Sequence, residues 1–152
     1  MAPSPDRFHQ DILGNLHFIL RSHLEKNPSG SIHLAPSDVQ LTDLNIFQPD
    51  LYYVSNTQRA ILTDQGARGA PDLIVEILSP KTAKLDRGLK REVYARSGVE
   101  EMWIIDPALK KIEVYRFAKA IDVPAGTFGV RHKFESALFL GLKIDVSRVF
   151  EL

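Results

Sequence analysis

Six consecutive residues, Leu73-Ile74-Val75-Glu76-Ile77-Leu78, constrain the fold more than any other part of the chain. The run is apolar on both alternating faces, with Glu76 as its single exception. A strand of that kind is covered above and below, so it belongs at the centre of a sheet. A carboxylate in the middle of it is costly unless a cation or hydrogen bonds compensate. Two explanations fit Glu76. It forms a buried ion pair with an Arg or Lys from a neighbouring helix, or it serves as a metal ligand or catalytic carboxylate.

The remaining segments supply the cover. Ser4 as N-cap and Pro5 at the first helical position open a helix over 4–26, with Phe8, Ile12, Leu16, Ile19 and Leu20 on one face. Asn27-Pro28-Ser29-Gly30 stops it. Short strands follow at 31–35, 38–41 and 46–54, then a polar connection over 55–70 with a helical turn near Arg59–Leu62. A second helix is expected over 82–97, with Leu85, Leu89 and Val93 as its buried stripe and Gly98 as its C-terminal cap. Strands at 101–106 and 111–117 flank a hairpin turn, and weaker strands are expected near 130–134 and 142–146. The order predicts an α/β (α+β) fold: a mixed central sheet flanked by helices.

With 152 residues the chain suits a single domain. It has 44% hydrophobic and 25% charged residues, the mix of a globular protein rather than a disordered or fibrous one. Cysteine is absent, which excludes disulfides and thiolate metal sites. No apolar run is long enough to span a membrane, and residues 1–8 carry no signal core, so a cytoplasmic location is expected. The formal net charge is zero. Bulk attraction to nucleic acid is therefore absent, and any contact must use a local patch. A neutral chain also resists self-association poorly, and a homo-oligomer, a dimer, is the expectation.

Within that neutrality the charges are segregated. Between residues 36 and 76, Asp38, Asp43, Asp50, Asp64, Asp72 and Glu76 face only Arg59 and Arg68. From Lys81 to Arg96 there are six cations against two acids. An acidic cluster suits a divalent cation and a basic rim suits phosphate oxygens, although most of the helix cations are equally well read as a solvated face. In Gln48-Pro49-Asp50-Leu51, Pro49 interrupts any ladder, so Asp50 sits near a strand irregularity from which a side chain can be aimed at a site. Asp72 shares a face with Glu76 but lies four positions away, about 13 Å along a strand, too far to share a small ion. Asp72 is thus read as a strand-start residue, and Asp50, on an adjacent strand, as the partner of Glu76. Lys90 borders the apolar stripe of the second helix, where its stem can cross the core and present its ammonium to a carboxylate in the sheet. Asp86 and Tyr94 lie one turn on either side of it. The five histidines form no metal-protease spacing, and no phosphate loop or nucleophile elbow is present.

The string of Gln48-Pro49-Asp50-Leu51, Gly69-Ala70-Pro71-Asp72 with Leu73–Pro80, Asp86-Arg87-Gly88-Leu89-Lys90 and Tyr94–Pro107 resembles the Uma-two family of bacterial predicted restriction endonucleases, within the PD-(D/E)xK nuclease superfamily. The resemblance covers about residues 5–117 and extends weakly through 118–152. It implies one restriction-endonuclease-like domain over 1–152. It also implies a metal-dependent endonuclease that hydrolyses phosphodiester bonds of nucleic acid, with DNA the expected substrate. Asp50 matches the family's Pro-Asp aspartate and Glu76 its strand glutamate, and together they would hold Mg²⁺ or Mn²⁺. The superfamily lysine two residues after the acid is missing, since Leu78 stands there, and the family's helix lysine maps to Lys90. His9 and Asp38 fall at auxiliary positions, and Asp86 and Tyr94 flank Lys90 as further auxiliaries. The alternative is a nuclease-fold binding or regulatory module without cleavage.

Overall fold

The computed structural model of the chain describes residues 6–152. Ser4 and Pro5 lie outside the described residues. The first helix, α1 (Arg7–Lys26), is capped by Asp6, whose carboxylate accepts the His9 backbone N–H at 2.7 Å. Ile12, Leu16, Leu20 and Leu24 follow one another every fourth residue and are buried, with Phe8 and Ile19 at the edge of the same cluster. The helix ends at Asn27, because Pro28 pushes the residue before it out of helical conformation.

Six strands form one mixed sheet in the order β1 (Gly30–Leu34), β4 (Leu51–Ser55), β6 (Leu73–Ile77), β7 (Glu101–Asp106), β8 (Lys111–Arg116) and β9 (Gly126–Gly129). Only β6 and β7 run parallel; every other pairing is antiparallel. The parallel step requires a crossover, supplied by a helix over 83–96. β2 (Asp38–Thr42), β3 (Asn45–Phe47) and β5 (Gly66–Arg68) make a small separate sheet, and β10 (Lys133–Phe134) pairs with β11 (Ile144–Asp145). No described helix is long and apolar enough to cross a membrane.

As the apolar run demands, β6 is central and buried along its whole length. Leu73, Val75 and Ile77 face α1 and the C-terminal residues Phe139, Ile144 and Val149. Ile74 and Leu78 face the other way, against Tyr52, Tyr94, Met102 and Ile104. Glu76 has the parity of this second face, so the carboxylate points toward the 83–96 helix and the small sheet.

Three expectations need correction. The segment 46–54 is not one strand. Gln48-Pro49 divides it between β3 in the small sheet and β4 in the large one, as a residue without a backbone donor divides a ladder. In residues 118–152, β10 and β11 fall within the two expected strands, but β9 is an additional strand that joins the large sheet, and β11 passes directly into a short helix, Val146–Val149. Most consequentially, the apolar stripe of the second helix is not buried. Leu85 is 47% exposed and Leu89 61%, whereas Asp86 and Tyr94 are buried. The helix changes to a wider π turn over Asp86–Lys90 between the α-helical turns Ala83–Leu85 and Arg91–Arg96. Its inner face is the polar row Asp86, Lys90 and Tyr94, because what lies beneath it is a carboxylate. Gly98, with φ of +103°, ends the helix as expected.

Leu16→Ala should lower stability by about 2–5 kcal/mol, since Leu16 is fully buried. Leu89→Ala should stay within about 0.5 kcal/mol of the parent despite its helical spacing. Urea unfolding of the two variants checks this, and comparable losses would contradict the outward orientation of the helix.

Candidate active site

The site forms where the C-terminal end of β6 meets the start of β4. Leu51 pairs with Val75, so the next residue along, Asp50, continues the register opposite Glu76 and on the same face. Pro49 stops the backbone ladder at this point, and the Asp50 side chain continues it: Oδ2 accepts the Ile77 N–H at 2.7 Å. The other oxygen, Oδ1, lies 3.3 Å from His9 Nε2, brought in by the first turn of α1. That contact raises the His9 pKa above its ordinary value, against the opposing effect of burial.

Glu76 is 3% exposed. One of its oxygens, Oε2, pairs with the Lys90 ammonium and accepts the Tyr94 hydroxyl proton at 3.1 Å. No described group hydrogen-bonds Oε1. Lys90 Nζ is also 3.1 Å from Asp86 Oδ1, and its charge sits 5.5 Å from the centre of the Phe47 ring. Burial pushes the Glu76 pKa up to about 7, outweighing the attraction of Lys90, and Asp86 and Asp50 push it the same way. Burial works to lower the Lys90 pKa, but Glu76 and Asp86 together leave it raised. Tyr94 is pushed up by burial and by Glu76, so it stays a hydrogen-bond donor.

A cavity of about 700 Å³ opens over these groups, lined among others by His9, Gln48, Asp50, Glu76, Arg87 and Lys90. Asp50, Glu76 and Lys90 are thus brought together with His9 and Asp86 at one opening, and Tyr94 supports Glu76 from behind. Asp38 is not part of the cavity wall. It sits on β2 and accepts a hydrogen bond from Gln48 Nε2 at 2.7 Å, reaching the site only through that residue. Asp72 bonds the Ser55 N–H at 2.8 Å, the strand-start role expected of it.

Sequence reasoning passed over two features. Phe47 packs edge-on against Tyr94, with ring centres 5.3 Å apart, and forms the floor beneath Lys90. Arg87 reaches over the sheet to Asp106 and Glu113, at 3.3 and 2.9 Å. The polar spacing of residues 86, 90 and 94 competes with the apolar stripe at 85, 89 and 93, but no local pattern points to Phe47 or to the partners of Arg87.

The donor set fits a hard divalent cation. Two carboxylates open into one cavity, and Glu76 keeps an unengaged oxygen in a setting that disfavours its bare charge. Among the described residues no three His, Asp or Glu side chains converge closely enough to hold a metal unaided. Mg²⁺ is commonly held by one or two carboxylates with waters and phosphate oxygens completing its shell, and Asp50 and Glu76 are two carboxylates on one cavity.

The fold is shared with a solved structure. The crystal structure of a "putative nuclease belonging to DUF820" from Anabaena variabilis ATCC 29413 superposes with a TM-score of 0.77, covering 97% of this chain and 83% of that one at 18% identity. At that identity the likeness is one of fold. The chain belongs to the Uma2 family, described as "Putative restriction endonuclease", whose sequence model matches residues 1–147. No curated protein matches the chain.

The raised Glu76 pKa fixes a pH dependence. The folded chain holds this proton between about pH 4.5 and 7 while the unfolded chain has lost it, so stability falls as pH rises through that window. Urea stability measured from pH 4.5 to 8 should show this decline in the parent and lose it in Glu76→Gln, which has nothing to titrate. Parallel pH profiles would refute the assignment.

Proposed function

We propose that the protein is a divalent-metal-dependent endonuclease of the PD-(D/E)xK type, hydrolysing phosphodiester bonds of nucleic acid, with DNA the expected substrate. One observation carries the reading: Asp50 and Glu76, from adjacent strands, open into the same cavity with the Lys90 ammonium on Glu76. Asp50 and Glu76 would hold Mg²⁺ or Mn²⁺. When bound, that ion would acidify a water and neutralise charge on the phosphate.

The chain's own groups divide the remaining work. Tyr94 fixes Glu76 by one oxygen and leaves the other for the cation. Asp86 tethers Lys90 at the cavity wall, where its ammonium can orient the attacking water and stabilise the extra negative charge of the pentavalent phosphorus. His9 holds Asp50 in orientation. Asp6, Asp50, Glu76, Asp86 and Asp106 line the cavity against two permanent cations, Arg87 and Lys90. An acidic cavity repels phosphate, so substrate binding should itself depend on the divalent ion.

The alternative is a nuclease-fold binding module. The observation that favours it is the compensation Glu76 already receives from Lys90 and Tyr94. The two readings part on metal binding. The nuclease should cleave nucleic acid with Mg²⁺ or Mn²⁺, lose cleavage in Asp50→Asn and Glu76→Gln, and slow by about 100-fold or more in Lys90→Ala. Metal titration should show binding that disappears in the two carboxylate variants. Absence of binding at millimolar metal, with no cleavage of any nucleic acid, would reject the nuclease and leave the module.

A further inference from the structure

Arg87 differs from every other cation of the 83–96 helix. Its Nε donates to Glu113 Oε1 at 3.0 Å and its Nη2 to Asp106 Oδ2 at 3.3 Å, with Nη2 also 2.9 Å from Glu113 Oε1. The two carboxylates come from β8 and the end of β7, and are only 14% and 10% exposed. The Arg87 side chain is 37% exposed and lines the same cavity as Asp50, Glu76 and Lys90.

A guanidinium carries five donors in a rigid plane. One edge of Arg87 is spent on the sheet. Its Nη1 forms no hydrogen bond among the described residues. The plane is therefore fixed along one edge, while Nη1, carrying two N–H donors, is left without a protein partner on a side chain that lines the cavity. A guanidinium immobilised in this way loses little side-chain freedom when an anion docks, and its fork matches phosphate oxygens. Arg91, one turn on, makes the contrast. Its guanidinium contacts the Arg87 backbone carbonyl and stacks 5.4 Å from the Tyr115 ring centre, turned into the structure and outside the cavity lining. Lys90 is engaged on both sides by Glu76 and Asp86. Of the two permanent cations lining the cavity, Arg87 is the one with a whole nitrogen, Nη1, free of protein partners.

We propose that Arg87 builds a second phosphate position in the cavity wall, which takes a backbone phosphate flanking the one that is cut. This rests on the nuclease reading of the site. It makes Arg87 a substrate-positioning group, used in the ground state and the transition state alike, rather than a group acting on the scissile phosphate. Its ion pairs with Asp106 and Glu113 are the scaffold that aims it.

The test is binding of a fluorescein-labelled DNA 20-mer, single-stranded and duplex, by fluorescence anisotropy, with Ca²⁺ in place of Mg²⁺ and salt varied. Cleavage kinetics with Mg²⁺ run in parallel. Losing one phosphate contact should weaken binding about tenfold and lower the slope of log K against log salt by about one in Arg87→Met. In cleavage, KM should rise with kcat nearly unchanged. Arg87→Met leaves two carboxylates without their cation, so the triple variant Arg87→Met, Asp106→Asn, Glu113→Gln serves as the folded control and should show the same reduced slope. Arg87→Lys keeps the charge and should retain the slope while losing part of the affinity. Parent-like slopes in both methionine variants would show Arg87 to be structural and overturn this proposal alone. A parent protein that neither binds nor cuts any nucleic acid would overturn the nuclease reading and this position with it.

Discussion

The structure turns on one buried charge. Glu76 occupies the middle strand of the sheet, where an ordinary apolar residue would cost nothing. Its compensation by the Lys90 ammonium and the Tyr94 hydroxyl dictates what packs above it. Lys90 also meets a second counter-charge, Asp86, one turn earlier. The whole inner face of the crossover helix is thereby polar, and the helix turns Leu85 and Leu89 to solvent. An interior ion pair of this kind gives little net stability compared with a well-packed apolar replacement. The pair lies at the edge of a cavity of about 700 Å³, so its cost is incurred where solvent and solutes can reach it.

This accounts for which parts of the molecule were legible in the sequence. The β6 run, the α1 stripe and the β7–β8 hairpin each follow a single period; the structure keeps the strands within a residue of their expected bounds, and α1 starts three residues later than expected, at Arg7, and ends at Lys26 as expected. Asp50, Glu76 and Lys90 were legible because each breaks a local rule: a proline in a strand, a carboxylate in an apolar run, a cation at the border of a stripe. The orientation of the 83–96 helix was not. Its sequence offers two competing faces, Leu85-Leu89-Val93 and Asp86-Lys90-Tyr94, and periodicity alone favours the apolar one. Tertiary demand chose the other, since a buried carboxylate without a cation is worse than two leucines in water. The Arg87 contacts were invisible for a related reason. They join residues 19 and 26 positions apart, through strands whose register no local pattern specifies.

The other face of the sheet shows what the site is built upon. Ile12, Leu16, Leu20 and Leu24 of α1 pack on Val75, Ile77 and Trp103, and the C-terminal residues Phe134, Phe139 and Phe150 close the same cluster. Those late residues contribute nothing to the cavity, yet they complete the cover of β6 and β7. The N-terminal turn of α1 links the two faces. Asp6 caps the helix, and the same turn carries His9 over the strand ends to Asp50. The orientation of Asp50 is thus set by core packing on the opposite side of the sheet, through the seating of one helix.

The displaced lysine follows from the same geometry. Residues 76 and 78 lie on one face of the strand, so a lysine two positions after the glutamate would reach the same space from below. Here Leu78 holds that position, 7% exposed and packed against the Tyr94 side of the core, with its N–H bonded to Ile105 at 2.8 Å. Packing has taken the strand position, and the charge is delivered from above by a helix. The ammonium is thus anchored on a π turn of the helix rather than on the sheet. Asp86 and the Phe47 ring hold the ammonium from two further directions. An ammonium delivered from the helix is held here by an acid one turn before it and an aromatic floor beneath it. The sequence from Phe47 to Tyr94 provides both.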